Sequence, residues 1–295
     1  MEAEMTAIAD VQKRTVLVTG GTGKTGRRVV QRLQAQCIPV RIGARNAGPG
    51  FDWNDPESWA RAVDGVSAVY LSYSPDLALP GAAETVEAFA RFAAERGVRR
   101  LVLLSGRGEE GARHAEELFM ALGEETGTAC TVLRASWFFQ NFSESFLAEA
   151  VQAGHVALPV GAMREPFIDA EDIAEVAVRV LTQEGHAGKR YELTGPRLFT
   201  FAEAVEAIAR ATGRDIPFQE ISVEDFISGL EAEEVPQPFI VLLEELFTQV
   251  FDGRNEYLSN GVEDVLGRPP RDFSSYLGVT VATGVWNTPQ PALSA

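Results

Sequence analysis

The chain is short of cysteine, of positive charge and of long apolar runs, and each shortage removes a class of function. Only two cysteines, Cys37 and Cys130, occur in 295 residues. They fall on different elements, so no disulfide framework and no thiolate metal site is expected; both read as buried packing residues in a reducing compartment. No other metal-ligand spacing occurs. Acidic residues outnumber basic ones by 42 to 26, a formal net charge of −16. Such a surface repels nucleic acid and anionic lipid, so neither is an expected partner. No run approaches the ~20 apolar residues of a membrane span. The first thirteen residues are polar and lack the apolar segment of a signal peptide. The expectation is a cytoplasmic monomer or homodimer that acts on a small molecule, with flexible ends at 1–13 and 288–295.

What is present is organised around Thr15 to Leu33. The β-branched run Val16-Leu17-Val18 ends in Gly20-Gly21-Thr22-Gly23-Lys24-Thr25-Gly26, and a helical pattern with apolar Val29, Val30 and Leu33 follows. Strand, glycine turn and helix in that order make a phosphate-binding unit. Glycine lets the backbone approach a pyrophosphate, and the new helix offers unpaired N–H groups to the anion. Gly23-Lys24-Thr25 suggests a nucleoside-triphosphate loop. That motif needs a glycine five residues before Gly23, where this chain has Val18. Glycines at 20, 23 and 26 instead give the dinucleotide spacing.

The rest of the pattern alternates strand and helix, so the expected fold is α/β. It is a Rossmann-type doubly wound parallel sheet over 14–158, followed by a smaller, mostly helical substrate lobe over 159–287 with segments returning to the sheet. The second strand, Val40 to Ile42, ends at Gly43-Ala44-Arg45-Asn46. An acid there would suit a ribose 2′-hydroxyl, whereas Arg45 suits the 2′-phosphate of NADP(H). Phe51-Asp52-Trp53 reads as a short third strand bordering the adenine pocket. Asp52 and Trp53 either hold the adenine or serve as turn and core. The strand Val66 to Leu71 opens into Ser72 and Tyr73, expected beside the pyrophosphate and the active-site wall. Leu101 to Leu104 is a buried strand ending at Ser105. Ala129 to Leu133 leads into the aromatic run Trp137-Phe138-Phe139-Gln140-Asn141-Phe142. There Phe139 and Asn141 are expected at a substrate pocket, with half the aromatics in the core. Asp169 and Asp172 read as helix-start residues.

Taken in order, TVLVTGGTGKTGRRV, Arg45, FDWNDPESW, VYLSYSP, RLVLLSG, TVLRASWFFQNF, FIDAEDIAEVA, YELTGP and GRPPRDF resemble the NmrA-like atypical short-chain dehydrogenases over nearly the whole chain. GKTGRRV, FDWNDPESW and SWFFQNF look most like the ergot-alkaloid-type branch, the festuclavine and agroclavine dehydrogenases and their bacterial relatives. The resemblance implies NADP(H) held by Gly20, Thr22, Gly23, Lys24, Thr25 and Gly26, with Arg45 at the 2′-phosphate. It implies nicotinamide-side contacts from the Ser72 loop, Ser105, Trp137 and Phe138. Familiar short-chain dehydrogenases carry Tyr-x-x-x-Lys on the helix after Ser105. Here that helix reads GEEGARHAEELFMALGEETG, with His114 and Glu116 the only titratable substitutes beside a Ser105 that has no partner to activate. No catalytic residue is assigned. The expected activity is an NADPH-dependent reduction of an imine or iminium, a quinone or an enone, acceptors that need no protein acid. The alternative is a non-enzymatic regulator that senses NADP(H) and acts through a protein partner.

Overall fold

The computed structural model describes residues 15–287; the expected flexible segments 1–13 and 288–295, and residue 14, lie outside the described residues. From Thr15 the chain alternates strictly: β1 (Thr15–Thr19), α1 (Lys24–Ala35), β2 (Val40–Gly43), α2 (Pro56–Val63), β3 (Val66–Leu71), α3 (Ala82–Glu95), β4 (Arg100–Gly106), α4 (Glu110–Thr126) and β5 (Ala129–Ala135). It then leaves for a second compact unit through α5 (Asn141–Glu144), α6 (Phe146–Ala153), β6 (Val156–Leu158) and β7 (Arg164–Glu165). It returns as α7 (Ala170–Thr182) and β8 (Arg190–Leu193). A second excursion forms β9 (Phe199–Thr200), α8 (Phe201–Thr212), β10 (Phe218–Glu220), α9 (Val223–Ala232), α10 (Gln237–Glu245) and a π-helical turn, Leu246–Val250. α11 (Gly261–Leu266) belongs to the first unit and α12 (Phe273–Ala282) to the second.

The first unit therefore takes the described residues through Ala135 together with Ala170–Leu193 and Ser259–Pro269. The division falls after β5 rather than at 158, because the chain leaves the sheet as soon as β5 ends. The six strands run parallel in the order β2-β1-β3-β4-β5-β8. Helices cover both faces of such a sheet, so its strands are apolar on both sides; β1 is buried at every position but Thr15. The chain steps from β1 outward to β2, then returns past β1 to β3. That reversal opens a crevice at the carboxyl ends of β1 and β3.

Residues 51–53 are not a strand. Phe51 and Trp53 are buried, but the backbone between them turns. Asp55 N–H donates to the Asp52 carbonyl, and Ser58 Oγ accepts from Asp52 N–H, which satisfies the groups a ladder would have paired. Asp55 caps α2 through Glu57 N–H, with Pro56 at the first helical position. The aromatic rings collect around Phe89 of α3: Phe51, Trp53 and Trp59 lie 5.2, 5.3 and 5.4 Å from it, all edge-on.

In the second unit β6 pairs parallel with β10, and β7 antiparallel with β9. Thr200 and Glu203 form a reciprocal capping box at the start of α8. α10 runs on into the π-helical turn, which buries Phe247 and Val250. The Trp286 indole N–H donates to the Phe142 carbonyl at 2.7 Å, and Tyr276 hydroxyl donates to Ser143 Oγ.

The packing gives a stability contrast. Phe89→Ala removes a fully buried ring and should lower unfolding free energy by about 3–5 kcal/mol, whereas Phe239→Ala, 46% exposed, should cost less than about 0.5 kcal/mol. Urea unfolding of the two variants beside wild type measures both.

Candidate functional site

The turn between β1 and α1 is closely packed on itself. Gly20 has φ +60°, a left-handed conformation that a side chain disfavours. Gly23 N–H donates back to the Gly20 carbonyl at 2.8 Å. A Cβ on Gly26 would lie 2.1 Å from that same oxygen, so α1 sits directly on the loop. The Gly23 N-cap position has no side-chain cap, so the start of α1 keeps open backbone N–H groups at the end where its dipole is positive. Thr22 and Gly23 are exposed, Lys24 is half-buried, and Thr25 and Gly26 are buried.

Two hydroxyls fix this turn to the sheet. Thr19 Oγ1 donates to the Tyr70 carbonyl at 3.1 Å and accepts from Ser72 N–H at 2.9 Å, clipping the carboxyl ends of β1 and β3 together. The Tyr70 phenol, wholly buried, donates to Thr25 Oγ1 at 3.1 Å. Burial raises the phenol above its ordinary pKa, so it stays a donor. Ser72 stands beside Gly20, its Cβ 3.3 Å from where a Gly20 Cβ would be.

Arg45 is exposed at the tip of a turn closed by an Ala44–Ala47 bridge, and it has no ion pair among the described residues. Neighbouring Arg41 differs: its Nη1 donates to the Arg61, Ala62 and Asp64 carbonyls at the end of α2. Asp52 and Trp53 both make structural contacts. Asp52 Oδ1 accepts from Asn54 N–H, its carbonyl accepts from the Trp59 indole, and Trp53 packs in the core with half-buried Tyr73 at 5.1 Å.

Ser105 has no tyrosine on α4 to activate, but its hydroxyl has a carboxylate partner. At the end of β4 its hydroxyl donates to Glu116 Oε1 at 2.6 Å. Arg134 of β5 grips the same carboxylate at both oxygens, Nε to Oε1 at 2.9 Å and Nη2 to Oε2. Arg134 Nη1 also reaches Glu192 Oε1 at 3.0 Å, and Arg107 Nε lies 3.8 Å from Glu192 Oε2. Hydrogen bonding to Glu116 holds the Arg134 guanidinium above its ordinary pKa. Glu116 is 1% exposed and Ser105 4%. Nothing in the one-dimensional pattern paired Glu116 with Arg134, eighteen positions on; the only signal is an acid on the inward face of α4 and a basic residue in an apolar strand. His114 is the opposite case, a solvated side chain 4.0 Å from Glu84.

The aromatic run belongs to the second unit. Trp137 is half-buried against Phe201, Phe247 and Phe251, at 5.4, 5.7 and 5.2 Å. Phe138 bridges to Ile168 and Asn141 is half-buried at the start of α5. Phe139 is a correction: it is fully buried against Phe273 and Tyr276, a core side chain rather than a pocket wall. Asp169 accepts from the Gln140 amide at 2.8 Å, and Asp172, wholly buried, pairs with Arg268. Of the cysteines, Cys130 is buried, its thiol pushed up to about 12, but Cys37 is exposed at φ +59°. Both are free, and among the described residues no group of three or more His, Cys, Asp or Glu is placed to hold a metal. Among the described residues no helix is long and apolar enough to cross a membrane.

Residues 12–277 match the NmrA-like family. The chain belongs to that family. Agroclavine dehydrogenase of Claviceps fusiformis is 32% identical over 89% of this chain and 96% of its own. Prestalk A differentiation protein A of Dictyostelium discoideum is 30% identical over 90% and 91%. The structure of an Escherichia coli NADPH-dependent quinone oxidoreductase, complexed with NADPH, superposes with a TM-score of 0.75 at 21% identity, covering 90% of this chain and 99% of that one. At that identity the likeness speaks for the fold alone.

A pH test follows from the ion pairs that tie α7 to α1. Glu171 is held below its ordinary pKa: burial acts against this, but the charges of Arg32 and Arg28 outweigh it. A depressed folded pKa gives stability that is present above the unfolded value of about 4.3 and lost as pH falls through the folded one. The stability gap between wild type and Glu171→Gln, about 0.5–1 kcal/mol after solvent screening, should hold at neutral pH and close in acid; a gap that widens on acidification contradicts the assignment.

Proposed function

We propose that this NmrA-like protein is an NADPH-dependent reductase of an activated small-molecule acceptor: an imine or iminium, a quinone or an enone. The observation that carries the reading is the glycine turn, where Gly26 leaves no room for a Cβ against the Gly20 carbonyl and the start of α1 keeps uncapped N–H groups. That cradle fits a dinucleotide pyrophosphate, with Gly20, Thr22, Gly23, Lys24, Thr25 and Gly26 around it. Arg45, exposed and without an ion pair among the described residues, suits the 2′-phosphate of NADP(H). The names of agroclavine dehydrogenase and the NADPH-dependent quinone oxidoreductase support the same class of reaction.

When bound, the nicotinamide supplies a hydride to the electrophilic carbon of the acceptor. The protein's part is to bind and orient. No tyrosine or lysine stands on α4 to supply a proton. An iminium needs none, because its C=N electron pair becomes the nitrogen lone pair; a quinone takes its proton from water.

A second reading, a regulator that senses NADP(H) through a protein partner, is favoured by the relative named as a differentiation protein. Following NADPH absorbance against a panel of cyclic imines, quinones and enones separates the two. Oxidation with at least one acceptor is expected; tight binding with no oxidation by any favours the regulator. Arg45→Ala should weaken NADPH roughly 10–100-fold, the worth of a charge-assisted hydrogen bond, and leave NADH unchanged. Equal NADPH and NADH affinities in wild type remove the Arg45 assignment.

A further inference from the structure

Resting on the reductase reading above, we propose that Glu116 and Arg134 hold Ser105 as a hydrogen-bond acceptor, and that Ser105 thereby selects acceptors bearing a cationic N–H over those that present only a carbonyl oxygen. Ser105 lies at the carboxyl end of β4, the edge of an open parallel sheet at which ligands bind. A serine hydroxyl has one proton and two lone pairs. Here the proton is committed, donated to Glu116 Oε1 at 2.6 Å.

The direction of that bond is not free to reverse. Glu116 receives Arg134 Nε on the same oxygen at 2.9 Å and Arg134 Nη2 on the other, so the carboxylate is an acceptor on both sides. With Glu116 1% exposed, water does not replace Ser105 as the donor. Turning the hydroxyl away would cost about 1–3 kcal/mol for a buried hydrogen bond left unmade. No donor among the described residues reaches Ser105 Oγ, so the lone pairs are what Ser105 offers at the strand end.

This orientation discriminates chemically. A quinone or ketone oxygen gains negative charge as hydride arrives and needs a donor, which is how an oxyanion is normally stabilised. Ser105 meets it with lone pairs instead. A protonated imine brings its own N–H to those lone pairs, and hydride arrival neutralises its positive charge. The C–H bond forms at carbon, the C=N electron pair becomes the nitrogen lone pair, and no proton leaves the protein.

The test compares wild type with Ser105→Ala on three acceptors: dihydroisoquinoline at a pH where it is protonated, its N-methyl iminium salt, which has no N–H, and a naphthoquinone. The variant should lose at least about 10-fold more in kcat/KM with the protonated imine than with either of the other two. Calorimetric binding of tetrahydroisoquinolinium, the amine product with its N–H donors, should weaken about 10-fold in parallel. A larger loss with the quinone shows that Ser105 donates, and overturns the proposal. Equal losses with all three, or none with any, overturn it too. If wild type oxidises NADPH with none of the three, the reductase reading fails, and the calorimetric comparison still decides the role of Ser105.

Discussion

One carbonyl oxygen governs the first unit: that of Gly20. It accepts from Gly23 N–H to close the turn, and it occupies the space a side chain at Gly26 would need. Because α1 begins on that oxygen, its axis is set relative to β1 and its first N–H groups open at the carboxyl edge of the sheet. The buried Tyr70 hydroxyl and the Thr19 clip carry the same restraint into β3. The crevice made by the reversal of strand order between β1 and β3 thus has a rigid floor and a positive end of a helix in it. A pyrophosphate is the group such a floor suits.

The second restraint is electrostatic. Glu116 and Glu192 face Arg134 and Arg107 at the ends of β4, β5 and β8, with Ser105 drawn in. Buried ion pairs of this kind contribute little net stability, since desolvation offsets much of the attraction. Their consequence here is direction: they decide which way a hydroxyl points. An exposed serine would choose its own partner; this one has had the choice made for it. On the proposed reductase reading, acceptors that are electrophilic already need no proton donor from this site.

The parts of the molecule that were legible in the sequence are those where backbone conformation or burial leaves a local mark. Glycine spacing at 20, 23 and 26 marked the turn, apolar runs marked the parallel strands, and Arg45 stood out because its neighbours carry no acid. Pairings between distant positions left no such mark. Phe51 and Trp53 looked like strand residues because they are buried, yet their backbone turns on Asp52 and Ser58. Glu116 read only as a titratable substitute beside Ser105, and nothing in the pattern placed Arg134 opposite it. Phe139 sat in an aromatic run that reads alike for core and pocket, and Cys37 lies in a turn where hydropathy does not report exposure. The interleaving of the two units follows from where β5 ends, which no composition shift announces.

The central claim is that the turn from Gly20 to Gly26 holds the pyrophosphate of NADP(H). A crystal structure of the protein grown with saturating NADPH tests it most directly. The account predicts the pyrophosphate within hydrogen-bond distance of the backbone N–H groups at the start of α1 and the 2′-phosphate against Arg45. A turn left empty under those conditions, or a nucleotide bound elsewhere, would contradict it.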